Sequence, residues 1–244
     1  MFTGITIEAK LGQSLYAFYQ DILGMKLTDS GWRFDGESAS LSFVPSETYY
    51  QPTPTDVFWK IGITVVDLDA ACQWLRSQGI NVSAPRQFQD IGYLAHLSDP
   101  SGLTIELLQT TFEGNRKENC PLTHPIADGA TLAHITLRCH NENAMQAWAD
   151  SLGLTLKSIQ PVTSYGFTLY FYSFIDEPLP EPDLCAVNNR EWLWQRPYTL
   201  LEFQLVHSAP PFMLPSKEAS GLFSFEADGE DITSQDLKDA GIGK

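Results

Sequence analysis

LAHITLRCHNENAMQAWADSLGLTL, residues 132–156, and REWLWQRPYTLLEFQLVH, residues 190–207, are the two segments whose reading decides the fold. The first sets His134 just ahead of an alternating apolar run, Ile135–Leu137, which reads as a strand. A helix over Asn143–Leu152 follows, and Gly153 stops it. The second segment holds Glu202 between Leu201 and Phe203 in a strand over Thr199–Val206. Alternation turns this carboxylate to the face opposite those two side chains. A carboxylate on a buried face needs a partner. A metal would supply one, and so would Arg196, Lys157 or solvent.

The same order of elements recurs on both sides. Thr155–Ile159 and Phe167–Phe174 complete this unit, with a proline-bearing acidic loop over 175–189. Upstream, Ile61–Val65 reads as a strand and Asp67 caps a helix over Leu68–Gln78 that ends at Gly79. Strands over Ile80–Ser83, Gln89–Leu97 and Leu103–Leu108 follow, the last two joined by the turn Asp99-Pro100-Ser101-Gly102. Further upstream come a strand over residues 3–9, a helix over Gln13–Leu23 closed by Gly24, and strands over Met25–Leu27, Trp32–Phe34 and Ala39–Val44. SLYAFYQDILGMKL aligns with NAMQAWADSLGLTL, and Trp74 stands as far beyond Lys60 as Trp148 stands beyond His134. Such periodicity marks repeated units. The two tryptophans read as core packing. A fourth unit begins with a strand near Leu222–Glu226 and a helix near Ser234–Ala240, and then stops short of three further strands. The fold expected is α+β, built of tandem βαβββ units, the last one truncated.

Aperiodic, turn-rich sequence over 109–130 marks the main boundary. In sequential order this gives a first domain over 1–110 (units 1–48 and 57–110), a linker over 111–130, and a second domain over 131–244 (a unit 131–207 and a partial unit 220–244). The alternative is that the two inner units pair with each other. Acids outnumber bases 30 to 15 for a net charge of -15, which disfavours nucleic acid or an anionic membrane as partner. No apolar run is long enough to span a bilayer and no signal peptide is visible. The four cysteines, Cys72, Cys120, Cys139 and Cys185, lack CxxC spacing and read as reduced thiols. A cytoplasmic protein is expected.

Three strings carry a family resemblance: FYQDILGMKL after the first strand, SDPSGLTIELL closing the second unit, and AHITL with LLEFQLVH in the third. Together with the repeat they resemble the vicinal oxygen chelate superfamily, which includes glyoxalase I, bleomycin resistance proteins and extradiol dioxygenases. The third unit is most similar to glyoxalase I. The resemblance implies incomplete barrels, each formed by two units around a pocket. It also implies metal ligands on the first and last strand of each unit. Carried over, those positions are His134 and Glu202 in the third unit and Glu106 in the second. The second unit's first-strand position is Lys60, whose protonated amine repels a divalent ion. An internal salt bridge of Lys60 with Glu106 is the other reading of that pair. In the first unit the positions fall near Gly4 and Ser42, and in the fourth within Gly221–Ser224, without His or carboxylate.

Inner pairing would gather Glu106, His134 and Glu202, a set adequate for Zn, Ni, Mn or Fe, with Lys60 at the fourth corner. The resemblance then implies a metal-dependent lyase or isomerase acting on a small substrate with vicinal oxygens, Glu202 moving the proton. Lys60, Tyr170, Tyr172, Trp194 and Arg196 are the expected pocket residues. A non-enzymatic small-molecule-binding protein of bleomycin-resistance type, with no metal, is the alternative. A ring-cleaving dioxygenase ranks lower, because its second histidine is absent. A small-molecule ligand is the expected partner, and a homodimer is one way to complete the truncated unit. His96 is free to face either side of its strand, His140 and His207 read as surface residues, and His124 lies in the linker.

Overall fold

First strands pair with first strands, and this organises the whole chain. The structure is a computed structural model, and it describes residues 1–116, 121–214 and 221–244. Cys120 and residue 220, the first of the expected fourth unit, lie outside the described residues. In chain order the elements are β1 (Phe2–Ala9), α1 (Gln13–Ala17), β2 (Lys26–Thr28), β3 (Gly31–Arg33), β4 (Ser40–Pro45), β5 (Phe58–Val65), α2 (Leu68–Ser77), β6 (Arg86–Phe88), β7 (Gly92–Ser98), β8 (Thr104–Gln109), β9 (Thr131–Cys139), α3 (Glu142–Ser151), β10 (Thr155–Val162), β11 (Phe167–Ser173), α4 (Asn188–Trp194), β12 (Leu200–Val206), β13 (Gly221–Ala227), β14 (Glu230–Thr233) and α5 (Ser234–Asp239).

Two open, curled sheets result. One runs β14-β13-β1-β4-β3-β2 and the other β10-β11-β12-β9-β5-β8-β7-β6. Their plans match: two first strands lie antiparallel at the centre, β1 on β13 and β5 on β9. In three units the last strand flanks the first strand in parallel, as β4, β8 and β12. The fourth unit departs from this, because β14 returns from β13 as an antiparallel hairpin and takes the flanking place. The pairing therefore differs from the sequential halves 1–110 and 131–244. Units one and four share one sheet, and units two and three share the other. In that second sheet Ile61 lies opposite Ile135.

Several elements differ from the sequence reading, each for a local reason. The first helix changes after Ala17 into a π turn over Phe18–Ile22, with Leu23 N donating to Phe18 O, and Gly24 (φ 74°) leads the chain out. Ile80–Ser83 forms a single bridge, Val82 to Leu97, and the strand lies later, at β6. Gln89 turns the chain with a positive φ (49°), which delays β7 to Gly92. Helix α4 begins at the end of the expected loop 175–189 and runs through residues to which the sequence reading assigns no element. Its apolar residues Trp192, Leu193 and Trp194 are consecutive, so no helical period announces it. The caps at Asp67 and Asn141 are made by side chains that accept from Ala70 N and Ala144 N.

Helices α2 and α3 cover the convex side of the eight-stranded sheet with the main core, which includes Leu68, Leu75, Met145 and Trp148. A separate apolar cluster fills part of the concave side, with Ile91, Leu94, Leu108, Leu169, Phe171 and Trp194. Helix α4 closes over it. Trp194 Nε1 donates to Ile91 O at 3.1 Å, Arg190 is ion-paired to Asp90 at 2.6 Å, and Glu191 accepts from Phe112 N at 2.7 Å. Among the described residues no helix is long and apolar enough to cross a membrane.

The inner pairing is testable by cross-linking. In a Cys72→Ser, Cys139→Ala background, Ile61→Cys with Ile135→Cys places two thiols on directly opposed residues, within disulfide reach. Peptide mapping after mild oxidation is expected to find an intramolecular 61–135 bridge. Sequential pairing of the units would leave both thiols free.

Candidate functional site

Strand register gathers the polar residues. One cross-strand row runs Leu200, His134, Gly62, Glu106, His96 across β12, β9, β5, β8 and β7. The next runs Phe171, Glu202, Thr136, Lys60 across β11, β12, β9 and β5. Opposed residues share a face of the sheet, so the side chains of both rows meet on the concave side. The arrangement is symmetric under exchange of the two inner units: Lys60 answers to His134, Gly62 to Thr136, Glu106 to Glu202 and His96 to Phe171. Each first strand also breaks register one residue earlier, skipping Trp59 in β5 and Ala133 in β9. The break at Trp59 lets both Trp59 and Lys60 line the same cavity, which strict alternation forbids.

The Lys60 ammonium lies at the centre. Its Nζ is 3.0 Å from Glu106 Oε1, 3.0 Å from Glu202 Oε2 and 3.3 Å from His134 Nε2. His134 Nε2 is in turn 3.4 Å from Glu106 Oε1 and 3.3 Å from Glu202 Oε2. His96 Nε2 reaches the other Glu106 oxygen at 3.0 Å, and Thr136 Oγ1 donates to Glu202 Oε2 in a short contact. Lys60, His134 and Glu202 are 1–2% exposed and Glu106 is 7% exposed, so this is a buried charge cluster. Gly62 makes room for it. A Cβ there would fall 2.0 Å from His134 Cε1.

The charges hold each other. Burial alone would favour neutral Lys60, but Glu106 and Glu202 outweigh it and raise its pKa above the ordinary lysine value. Burial likewise disfavours a charged Glu106. The Lys60 charge and the hydrogen bonds from His134 and His96 overcome that and hold its carboxyl well below the usual range.

A metal ion does not fit while Lys60 stands there. Its ammonium already occupies the point on which the three would-be ligands converge, and it adds positive charge where a second cation would have to enter. Among the described residues no group of three or more His, Cys, Asp or Glu is arranged to hold a metal ion.

Beside the cluster is a cavity of about 210 Å³, floored by Lys60, Glu106 and Glu202. Phe88, Ile91, Leu94, Leu108, Leu169, Phe171 and Trp194 form its walls, and Arg86 and Tyr165 stand at its mouth. The two arms of the open sheet meet there, with Gln89 Nε2 donating to Ser164 Oγ at 2.8 Å and Phe88 edge-on to Tyr165. Glu202 Oε2 is taken by Lys60 and Thr136. Its Oε1 has no hydrogen-bond partner among the described residues.

Of the residues singled out in the sequence, Lys60, Glu106, His134 and Glu202 come together, and Trp194 lines the cavity. Three pocket expectations are corrected. Tyr170 and Tyr172 lie on the opposite face of β11, where Tyr170 OH donates to Glu142 Oε1 at 2.7 Å and Tyr172 packs edge-on to Phe203. Alternation sends Phe167, Leu169 and Phe171 inward instead. Arg196 is held away from the cavity, over the Trp192 ring and 3.0 Å from Glu177 Oε2. Lys157 is buried against Asp176 and the carbonyl of Glu177, so it does not partner Glu202. The linker histidine, His124, accepts from Ile126 N and Ala127 N and shapes its turn. Phe171 was missed because its face depends on the register of β11 against β12. An inward Glu202 on the strand next to an aromatic run fixes which aromatics share its face once the register is known.

Residues 12–107 match the sequence profile of the Glyoxalase/Bleomycin resistance protein/Dioxygenase superfamily. No curated protein sequence matches the chain. Among solved structures, glyoxalase I from Zea mays superposes with a TM-score of 0.64 at 15% identity, covering 92% of this chain and 72% of the maize protein. A mutant of the same enzyme gives a TM-score of 0.65 at 14% identity, covering 92% and 73%. Methylmalonyl-CoA epimerase from Mycobacterium tuberculosis, at a TM-score of 0.35 and 19% identity, covers 66% of this chain and 95% of its own.

The cluster sets a pH window for stability. Glu106, depressed in the folded state, contributes fully above its unfolded value of about 4.3, and that contribution is lost as pH falls toward the folded value. Lys60, raised in the folded state, contributes fully below about 10.4, and its share is lost as pH rises through the folded value. Lys60→Met leaves two buried carboxylates without their cation and is expected to cost about 3–5 kcal/mol at pH 7. Part of that returns near pH 5, where one carboxylate takes up a proton. Urea melts across this range test it, and equal losses at both pH values would contradict it.

Proposed function

We propose that this chain, a member of the vicinal oxygen chelate superfamily with the fold of glyoxalase I, binds a small, largely aromatic molecule in the inner-unit cavity and does so without a resident metal ion. The observation that carries this reading is Lys60 Nζ, within 3.0–3.3 Å of Glu106, Glu202 and His134. The apolar walls and the closure by α4 supply what a small ligand needs, an enclosed surface with few, fixed polar groups. The finer reading as a metal-dependent lyase or isomerase would require Lys60 to leave the centre. It would also require Glu202 to release Thr136 and Lys60 before moving a proton. The dioxygenase reading meets the same obstacle, since the position matching His134 in the second unit is Lys60. The buried thiols Cys72 and Cys139 and the exposed Cys185 are unpaired, in keeping with a cytoplasmic protein.

Metal uptake tests this. Calorimetric titration of wild-type protein with Zn²⁺ and Ni²⁺ is expected to show no stoichiometric binding. Lys60→Ala removes the internal cation and is expected to gain a site for about one ion per chain, by the chemistry of its His/Glu/Glu donors. Adding His134→Ala should abolish that gain. Stoichiometric metal in the wild type, lost in His134→Ala and Glu202→Gln, would overturn the reading in favour of the metalloenzyme.

A further inference from the structure

The cavity's polar end is unevenly furnished. Lys60 brings one positive charge to two carboxylates, and its ammonium is already committed to Glu106, Glu202 and His134. It therefore has no hydrogen bond left to offer a carbonyl or an anion in the cavity. Glu106 is committed through both oxygens, one to Lys60 and the other to His96. Glu202 is not. Its side chain is 3% exposed and lines the cavity, its Oε2 takes Lys60 and Thr136, and its Oε1 has no hydrogen-bond partner among the described residues. The cavity is the side from which a donor can reach that oxygen.

The walls favour the same kind of group. Phe171 and Trp194, in edge contact at 5.0 Å, stand beside this end of the cavity. The negative faces of aromatic rings attract a desolvated cation and the rest of each ring receives an apolar body. At the floor an anionic head would meet two carboxylates, with the Lys60 ammonium already committed to them and His96 turned to Glu106. Arg86, at the mouth, is exposed and lies over the Phe88 ring, 5.7 Å from its centroid. Its charge is screened by solvent there and does not alter the balance at the floor.

We infer that the cavity takes an aromatic or heteroaromatic primary amine in its protonated form, its nitrogen donating to Glu202 Oε1 and its ring resting against Phe171 and Trp194. This rests on the binding function proposed above and names the class of ligand. Such a ligand brings a second fixed positive charge to the two carboxylates, beside that of Lys60. A space of about 210 Å³ suits one ring with a short chain.

The test uses three probes of one shape, 2-phenylethylamine, 2-phenylethanol and phenylacetate, titrated into wild-type protein at pH 7 by calorimetry and by the change in tryptophan fluorescence. The amine is expected to bind at least tenfold more tightly than the alcohol, and phenylacetate is expected not to saturate. Acetylating the amine removes its charge on an unaltered protein and should lower its affinity to that of the alcohol. Glu202→Gln should erase the preference for the amine over the alcohol. If amine, acetylated amine and alcohol bind alike, or if the acid binds best, the amine assignment is overturned and the cavity's binding role stands. If none of the four binds, the binding role falls with it.

Discussion

A single buried ammonium, that of Lys60, settles what the centre of this molecule can do. Two carboxylates buried on the concave side of one sheet repel one another and are costly to bury unless a cation lies between them. A bound metal is one solution to that problem, and a lysine from the facing first strand is another. The second solution is covalent, permanent and independent of metal supply. It also fixes chemistry, because the ammonium's hydrogen bonds are used up within the cluster. What remains for a ligand is the apolar wall and one free carboxylate oxygen.

The rest of the fold serves that centre. Antiparallel pairing of β5 with β9 places Lys60 opposite Thr136 and Gly62 opposite His134. The lack of a side chain at Gly62 gives His134 its place, and Thr136 secures Glu202 from beside the lysine. The parallel strands β8 and β12 deliver the two glutamates at matching offsets. Helix α4 then shuts one side, with Trp194 and Arg190 reaching back to the other inner unit and Glu191 to the segment that follows it. The outer sheet repeats the plan without the chemistry. At the positions that the resemblance marks it carries Gly4, Ser42 and the stretch Gly221–Ser224, without His or carboxylate.

Much of this was legible in the sequence, and the gaps have physical causes. Helix stops at Gly24, Gly79 and Gly153 and caps at Asp67 gave the unit boundaries, because turn geometry is set locally. The four central residues were legible through the family resemblance, which marks the first and last strand of each repeated unit as the places to look. Which units pair was not legible. That choice is made by contacts between strands far apart in sequence, and His134 reads the same beside β5 as beside β13. The face of β11 was misassigned for a similar reason: Tyr170 and Phe171 alternate, and only the register against Glu202 decides which of them points inward. The bulge at Trp59 and the helix α4 leave no periodic trace, so they appear only in three dimensions.

The most direct measurement is a crystal structure of the wild-type protein grown in millimolar Ni²⁺ or Zn²⁺, with data collected at the metal's absorption edge. The account predicts no anomalous peak among Glu106, His134 and Glu202, and density for the Lys60 amine between them. A strong anomalous peak at that point, with the Lys60 side chain swung aside, would contradict it.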